Sequence, residues 1–428
     1  MPISLIESLD HEGRGVTRLD GTAVFADGAL PFEKAELSIY RKKRNFALAN
    51  VIRIVHPSAQ RVTPRCPYFN TCGGCSMQHL EASAQAAVKQ RVLEDALWHI
   101  ARLRPEMVFP AIQGSPWGYR FRARFSVRLV PRKGGVLVGF HEKRSSYVVD
   151  MQSCDVLPAH VSAIIPALRQ LVGALSIADR LPQIEVALGE GRTALVLRTL
   201  KPLEARDESL LRAFAGAHGV TLFVQPAGPG SAYAFHPPDA GELSYTLPDF
   251  DLRLRFRPTD FTQVNFGVNR MLVRRALGLL APRRGEHIAD MYCGLGNFAL
   301  AIARCGSRVV GFEGSEDLVR RACENAECNG LADLCEFVVA DLSNSPAPGG
   351  RFDKMLIDPP REGAIGLVRG LDSDAPHRIV YVSCNPATLA RDAAVLVHEK
   401  GYALRGAGIA NMFPHTSHVE SIAVFQKQ

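Results

Sequence analysis

Two cysteine arrangements in this chain have spacings suited to chemistry. The first is Tyr381-Val382-Ser383-Cys384-Asn385-Pro386, a thiol at the end of a β-like run. Asn385 is a suitable N-cap and Pro386 a suitable first helical residue, so Cys384 is predicted to face the positive end of a helix dipole. A free thiol titrates near pH ~8.5 and is mostly protonated at neutral pH, and a helix N-terminus is an ordinary way to raise its thiolate fraction. Cys384 is therefore a candidate nucleophile.

The second arrangement is Cys66, Cys72 and Cys75, spaced C-x5-C-x2-C in a loop with Gly73 and Gly74, with Cys154 far downstream in Gln152-Ser153-Cys154-Asp155-Val156. Three close thiolates and a remote fourth can hold either a tetrahedral zinc or a 4Fe-4S cluster, and the spacing leaves both open. A disulfide framework is not expected. The N-terminus lacks a basic region followed by an apolar core, so the ten cysteines are predicted to be reduced thiols or metal ligands in a cytoplasmic protein.

A nucleotide-type site lies between these cysteines in the sequence. Asp290-Met291-Tyr292-Cys293-Gly294-Leu295-Gly296-Asn297 follows a predicted strand and opens a helix expected from Leu295, where glycines let backbone approach a ligand. Glu313 ends the next strand, 19 residues beyond Gly294, where a carboxylate can accept from a ribose diol. The pattern also fits a dinucleotide fingerprint, so a nicotinamide oxidoreductase remains an alternative. Asp341 and the turn Asp358-Pro359-Pro360 follow the third and fourth strands, at the edge where such sheets hold substrates. A dehydrogenase has no particular use for Asp-Pro-Pro, whereas a similar acid-Pro-Pro turn walls the methyl donor in enzymes that methylate planar bases.

Cysteine and methyl donor are both needed if the acceptor is carbon 5 of a uracil. That carbon is too poor a nucleophile to attack a methyl group, but addition of a thiolate at carbon 6 makes the ring an enolate with density at carbon 5. After transfer, a base must remove the carbon-5 proton so that the sulfur can leave. Glu420, in Pro414-His415-Thr416-Ser417-His418-Val419-Glu420, is the candidate base.

Several elements must position these groups. The first 55 residues contain five short β-like runs, around Ser4, Val16, Val24, Leu37 and Val51, which predict a small OB-type barrel carrying Tyr40-Arg41-Lys42-Lys43-Arg44. A helix is predicted over Glu81–Ala101, with Val88, Leu93, Ala96, Leu97 and Ile100 as its packing face. From Tyr119 to Leu129 apolar residues alternate with Arg120, Arg122, Arg124 and Arg128, a half-buried strand with a cationic face. Between Trp117 and Arg144 there are eight Lys or Arg and one acid, a surplus equal to the +7 of the whole chain. Leu252–Arg257 repeats the plan, and phosphate is the expected counterpart. From about Pro258 strands and helices alternate, predicting a doubly wound parallel sheet, with two last strands near Tyr402 and Ile422. At 47% hydrophobic and 22% charged, with no apolar stretch long enough to span a bilayer, the chain is expected to be a multi-domain globule. A non-catalytic RNA-binding module is a further alternative.

With Ser383-Cys384-Asn385-Pro386, Phe261-Thr262-Gln263-Val264-Asn265 and Pro414-His415-Thr416 with Glu420 in view, the chain closely resembles the bacterial 23S ribosomal RNA uracil-5 methyltransferases of the RlmD type. The similarity runs nearly end to end. It implies an N-terminal TRAM domain of OB form (residues 1–58), an iron-sulfur segment with a central α+β RNA-contacting domain (59–258), and a Rossmann-like class I methyltransferase domain (259–428). It further implies S-adenosylmethionine as donor, held by Gln263, Tyr292, Asn297, Glu313, Asp341 and Asp358. Cys384 is implied as nucleophile, Glu420 as base, and Cys66, Cys72, Cys75 and Cys154 as ligands of a 4Fe-4S cluster, which is expected to be structural because methyl transfer moves no net electrons between enzyme and donor. The expected partner is 23S rRNA, at the uracil-1939 position, and a monomer is expected. Related tRNA enzymes lack the cysteine segment and a sister 23S group lacks the barrel, so possession of both is what points to this type.

Overall fold

The computed structural model describes residues 1–342, 350–372 and 374–428, which include every candidate site residue. The N-terminal strands are β1 (Ile3–Leu5), β2 (Ser8–Leu9), β3 (Gly15–Leu19), β4 (Thr22–Asp27), β5 (Lys34–Lys42) and β6 (Phe46–His56). They join in the order β1-β5-β6-β4-β3-β2, one strand more than the five predicted, because Ser8 and Leu9 pair with Val16 and Gly15. Ser4 Oγ donates to Thr17 Oγ1 (2.6 Å), and Thr17 Oγ1 donates to the carbonyl of Leu5 (2.7 Å). These bonds tie the edge strand β1 to β3, so the sheet curls around Ile6, Val24, Leu37 and Ala49. Tyr40 and the basic residues after it are exposed.

Next come α1 (Ala82–Ala101) and β7 (Met107–Val108), which cross to the C-terminal part of the molecule. Glu81 is the N-cap of α1 rather than its first residue, its carboxylate accepting from the backbone of Ser83 and Ala84. Leu93 and Leu97 are buried as predicted, but Ile100 is 50% exposed. Gln85 and Lys89 are buried on the helix, a polar pair that the apolar pattern did not include.

The middle region contains β8 (Arg122–Val130), β9 (Gly135–Gly139), α2 (Ala159–Ala163), α3 (Ile165–Ala174), β10 (Gln183–Gly189), β11 (Arg192–Arg198), α4 (Ala205–His218), β12 (Thr221–Gln225) and β13 (Tyr233–His236). Its sheet runs β13-β12-β11-β10-β8-β9. Ala123, Phe125 and Val127 face a core shared with Leu168, Ile184 and Leu195, as the alternation requires. The cationic face is partly neutralised, because Arg122 and Arg124 both pair with Glu185 of β10. A hairpin follows, β14 (Leu243–Leu247) and β15 (Leu252–Phe256), whose Leu252, Leu254 and Phe256 are buried while Arg253 and Arg255 are exposed.

The C-terminal elements are α5 (Phe266–Leu280), β16 (His287–Met291), α6 (Ala299–Arg304), β17 (Arg308–Glu313), α7 (Glu316–Cys328), β18 (Cys335–Val339), β19 (Lys354–Ile357), α8 (Ile365–Arg369), β20 (Arg378–Ser383), α9 (Pro386–His398), β21 (Tyr402–Ala410) and β22 (Glu420–Lys427). Their sheet has the order β18-β17-β16-β19-β20-β22-β21-β7, with β18 to β20 parallel and β22 antiparallel between β20 and β21. This is the doubly wound, Rossmann-like class I arrangement. The helix after the glycine loop starts at Ala299, not at Leu295. Gly294 and Gly296 have φ of +55° and +96°, which a continuing right-handed helix cannot accommodate. α1 packs against α9 and β21, and β7 adds to the edge of this sheet beside β21. Among the described residues no helix is long and apolar enough to cross a membrane.

Candidate active site

The sheet explains why residues distant in sequence share one edge. β16, β17, β18, β19 and β20 run parallel, so Asp290, Glu313, Asp341, Asp358 and Cys384 all lie at or just past their C-terminal ends. β22 runs the other way, and its first residue is Glu420. Register pairs Ser383 with Ser421, so the next position brings Glu420 to Cys384.

Crowding of acids in a buried place sets the electrostatics. Burial, then the nearby Glu420 and Asp358, push the Cys384 thiol up to about 11, although Arg361 acts in the other direction. As expected, α9 begins at Pro386 with Asn385 as its cap, while burial and the two acids act against ionisation of the thiol. Burial holds Asp358 up to about 7. Glu420 is 4% exposed, and burial followed by Asp358 raises it well above the usual carboxylate range. Asp290, wholly buried in β16, is raised for the same two reasons. Sequence reading quoted Asp290 at the head of the glycine loop but gave this fifth acid of the edge no role.

The residues expected to hold the donor surround the same loop. Glu313 accepts from the backbone N–H of Gly294 (3.2 Å) and of Ser315 (2.9 Å), so it fastens the glycine turn to the end of β17. Tyr292 has φ of +65° and donates its hydroxyl to the carbonyl of Leu342 (3.0 Å), next to Asp341. Asn297 is committed elsewhere. Its side chain accepts from Tyr245 Oη (2.9 Å) and exchanges two hydrogen bonds with Asn269 (2.9 and 3.0 Å), linking the loop to β14 and α5. Gln263 is partly buried in the segment between β15 and α5. That segment is fixed by Phe121 N–H donating to Val264 O (2.7 Å) and by Asn265, which caps α5.

Glu420 is presented by a connection, 411–419, in which four successive carbonyls are each taken by a different part of the chain. Asn265 Nδ2 reaches Met412 O (3.4 Å), and Lys89 Nζ reaches Phe413 O (2.8 Å). Tyr119 Oη donates to Pro414 O (2.9 Å), and the backbone N–H groups of Ser76 and Met77 donate to His415 O (both 2.9 Å). Gln85 grips His415 at both its backbone N–H (2.7 Å) and ring Nδ1 (3.1 Å), and Trp117 stacks on that ring at 3.9 Å. Burial lowers His415 to about 4, so the ring is neutral. Sequence reading singled out the Pro-His-Thr motif but not Gln85, Lys89 or Tyr119 as its supports.

The four cysteines expected as cluster ligands lie close enough to influence one another electrostatically. Burial raises all four thiols, Cys75 to about 11 and Cys154 to about 12. Each shift beyond Cys66 includes a contribution from another sulfur of the set: Cys66 acts on Cys72, Cys72 and Cys66 on Cys75, and Cys75 and Cys72 on Cys154. Among the described residues no three His, Cys, Asp or Glu side chains are arranged to hold a single metal ion. Cys72 and Cys154 are buried and Cys66 and Cys75 half-buried, and thiols with raised pKa values suit a cationic group that would stabilise them as thiolates. Four thiols are a donor set that either a 4Fe-4S cluster or a tetrahedral zinc could take.

Comparison with known proteins bears on the same parts. Residues 288–358 match a family described as a methyltransferase domain, and residues 349–428 match one described as tRNA (Uracil-5-)-methyltransferase. A solved structure of Pyrococcus abyssi tRNA (uracil-54, C5)-methyltransferase in complex with S-adenosyl-L-homocysteine superposes with a TM-score of 0.74 at 24% identity, covering 99% of this chain and 100% of that one. It supports the fold over the full length. The 23S rRNA (uracil(1939)-C(5))-methyltransferase RlmD of Aromatoleum aromaticum is 62% identical across 100% of both chains. The protein of the same name from Dechloromonas aromatica is 60% identical, again across 100% of both. The nicotinamide alternative falls with these matches. At this identity over its whole length, the chain belongs to the family of the RlmD 23S rRNA uracil-C5 methyltransferases.

Proposed function

We propose that this protein transfers a methyl group from S-adenosylmethionine to carbon 5 of the uridine equivalent to 1939 in 23S rRNA. The observation that carries this reading is the pairing of β20 with β22, which sets a half-buried thiol and a buried carboxyl together at the donor edge of a class I sheet. Cys384 adds to carbon 6, and carbon 5 of the resulting enolate takes the methyl. Glu420 then removes the carbon-5 proton, after which the sulfur leaves and the ring regains its double bond. The donor supplies the methyl on a positively charged sulfur. Held by the residues assigned to it, that charge would offset part of the burial cost and favour ionised carboxyls at the edge.

Gln263, Tyr292, Asn297, Glu313, Asp341 and Asp358 are assigned to the donor side. Asn297 acts by holding the glycine loop, since its side chain is already engaged. Cys66, Cys72, Cys75 and Cys154 are assigned to a 4Fe-4S cluster whose role is structural, because methyl transfer moves no net electrons between enzyme and donor. Residues 1–58 are read as a TRAM barrel of OB type, 59–258 as the cluster segment and RNA-contacting domain, and 259–428 as the catalytic domain. The exposed Tyr40 and Arg128 are consistent with RNA contact. The protein is read as a cytoplasmic monomer.

The test is methylation of unmodified 23S rRNA by purified protein with isotope-labelled donor, followed by mass-spectrometric mapping. Label in 5-methyluridine at the position equivalent to 1939 is expected. Label in another base, or at another uridine only, overturns the assignment.

A further inference from the structure

Lys89 is a buried cation, 1% exposed. Among the described residues it has no carboxylate partner within ion-pair distance. Its amine donates to Asn411 Oδ1 (2.7 Å) and Phe413 O (2.8 Å), the first and third residues after β21. Gln85, one helical turn earlier, holds His415 in the same connection. Burying an ammonium without a counter-charge opposes stability, and a well-packed apolar side chain would do as well or better there. Burial accordingly lowers the Lys89 amine to about 7. Such a group is explained by what it holds rather than by what it adds to the core. It holds the corner from which the chain turns toward Glu420; no other described donor reaches Asn411 Oδ1, and Phe413 O is otherwise reached only by Thr416, three residues along the same turn, through its backbone N–H and its hydroxyl.

We propose that Lys89 is a positioning residue for the proton-removal step: by clamping Asn411 and Phe413 it aims Glu420 at the carbon-5 proton of the covalently bound, already methylated uracil. This rests on the reading of Cys384 as nucleophile and Glu420 as base. Lys89 is closed off from solvent, its amine committed to Asn411 and Phe413. Its loss should therefore leave addition and methyl transfer in place and slow release, so that enzyme accumulates as a methylated covalent RNA complex.

The experiment uses the full-length protein with its cluster, an rRNA hairpin containing the target uridine, and labelled S-adenosylmethionine. Lys89→Met is compared with wild type, with Lys89→Arg as the charge-preserving variant and Glu420→Gln as reference. Turnover, KM for RNA and donor, and the fraction of protein shifted on denaturing gels are read. Lys89→Met is expected to lower kcat about 10- to 100-fold with little change in either KM, the scale of a small misplacement of a catalytic group. It should also raise the covalent fraction, and Lys89→Arg should restore part of the rate. Asn411→Ala removes one acceptor without altering α1 and should show the same stall in weaker form, which covers the case in which Lys89→Met does not fold. An unchanged kcat, or a lowered kcat without accumulated complex while Glu420→Gln does accumulate it, overturns the proposal for Lys89. Absence of complex with Glu420→Gln while Lys89→Met accumulates it overturns instead the assignment of Glu420, and Lys89 then positions a different base. Absence from both overturns both.

Discussion

Ser383 faces Ser421 across the antiparallel pair β20 and β22, and this register is what delivers Glu420 to Cys384. A slip of one residue would turn Glu420 to the other face of the sheet, because side chains alternate along a strand. The register is guarded from outside the sheet. Connection 411–419, which leads into β22, is anchored by Asn265, Lys89, Tyr119 and the segment after Cys75, so the nucleophile–base pair depends on contacts from four distant parts of the chain.

The acids at this edge make stability depend on pH. In the unfolded chain Asp358 ionises near its ordinary value of about 3.9. Folded, it keeps its proton up to about 7. Between those values the folded state binds more protons than the unfolded one, so the contribution of this group to stability falls as pH rises from ~4 to ~7. Asp358→Asn should therefore raise the melting temperature of donor-free protein at pH 8 more than at pH 5, while weakening donor binding. Equal shifts at the two pH values would count against the buried-acid account.

Asn297 should behave as a loop anchor. Asn297→Ala removes bonds to Tyr245 and Asn269 and leaves their polar groups without those partners. A loss of about 1–3 kcal/mol in unfolding free energy is expected, with a raised KM for the donor. Denaturant unfolding checks this, and an unchanged midpoint would mean that the network is not formed in solution.

The cysteine segment should carry iron and should steady the base. Protein purified without air is expected to be brown, with about four iron atoms per chain. Cys75→Ser should lower the iron content. Because Ser76 holds both His415 O and the backbone N–H of Ser417, the same change should speed amide hydrogen exchange over residues 411–417. Stoichiometric zinc in place of iron would contradict the cluster assignment.

Arg128 and Arg124 should differ in their effect on RNA binding. Arg124 spends part of its charge on Glu185, whereas Arg128 is exposed and, among the described residues, its guanidinium pairs with no carboxylate and donates to the carbonyl of its neighbour Val127. Arg128→Ala should weaken binding to rRNA fragments and reduce the slope of log affinity against log salt by about one, with Arg124→Ala having the smaller effect. Equal slopes for both variants and wild type would remove β8 from the RNA surface.

Much of this site was legible because its chemistry is written locally. Cys384 with Asn385 and Pro386, the glycine loop, and Glu420 before a final strand each declare their place through a few adjacent residues. The thiol's electrostatics were not legible, since the acids that raise Cys384 come from two other strands. Lys89 escaped for a similar reason: its acceptor Asn411 lies 322 residues away, and a lysine inside a helical pattern reads as a surface position. The folding of α1 and β7 onto the C-terminal sheet is likewise a tertiary fact with no local signature. The glycine turn misled in the opposite direction, since a helix pattern beginning at Leu295 is interrupted by the positive φ that Gly296 adopts.

The central claim is that the sulfur of Cys384 bonds to carbon 6 of the target uracil. It is tested most directly with rRNA hairpin carrying 5-fluorouridine at the target position, where the fluorine on carbon 5 cannot be removed by a base and the adduct persists. Incubation with S-adenosylmethionine, digestion and tandem mass spectrometry should find the methylated fluorouridine on Cys384, and none with Cys384→Ala. A stable adduct on any other residue, or methylation of natural uridine by the Cys384→Ala protein at the wild-type rate, would contradict the account.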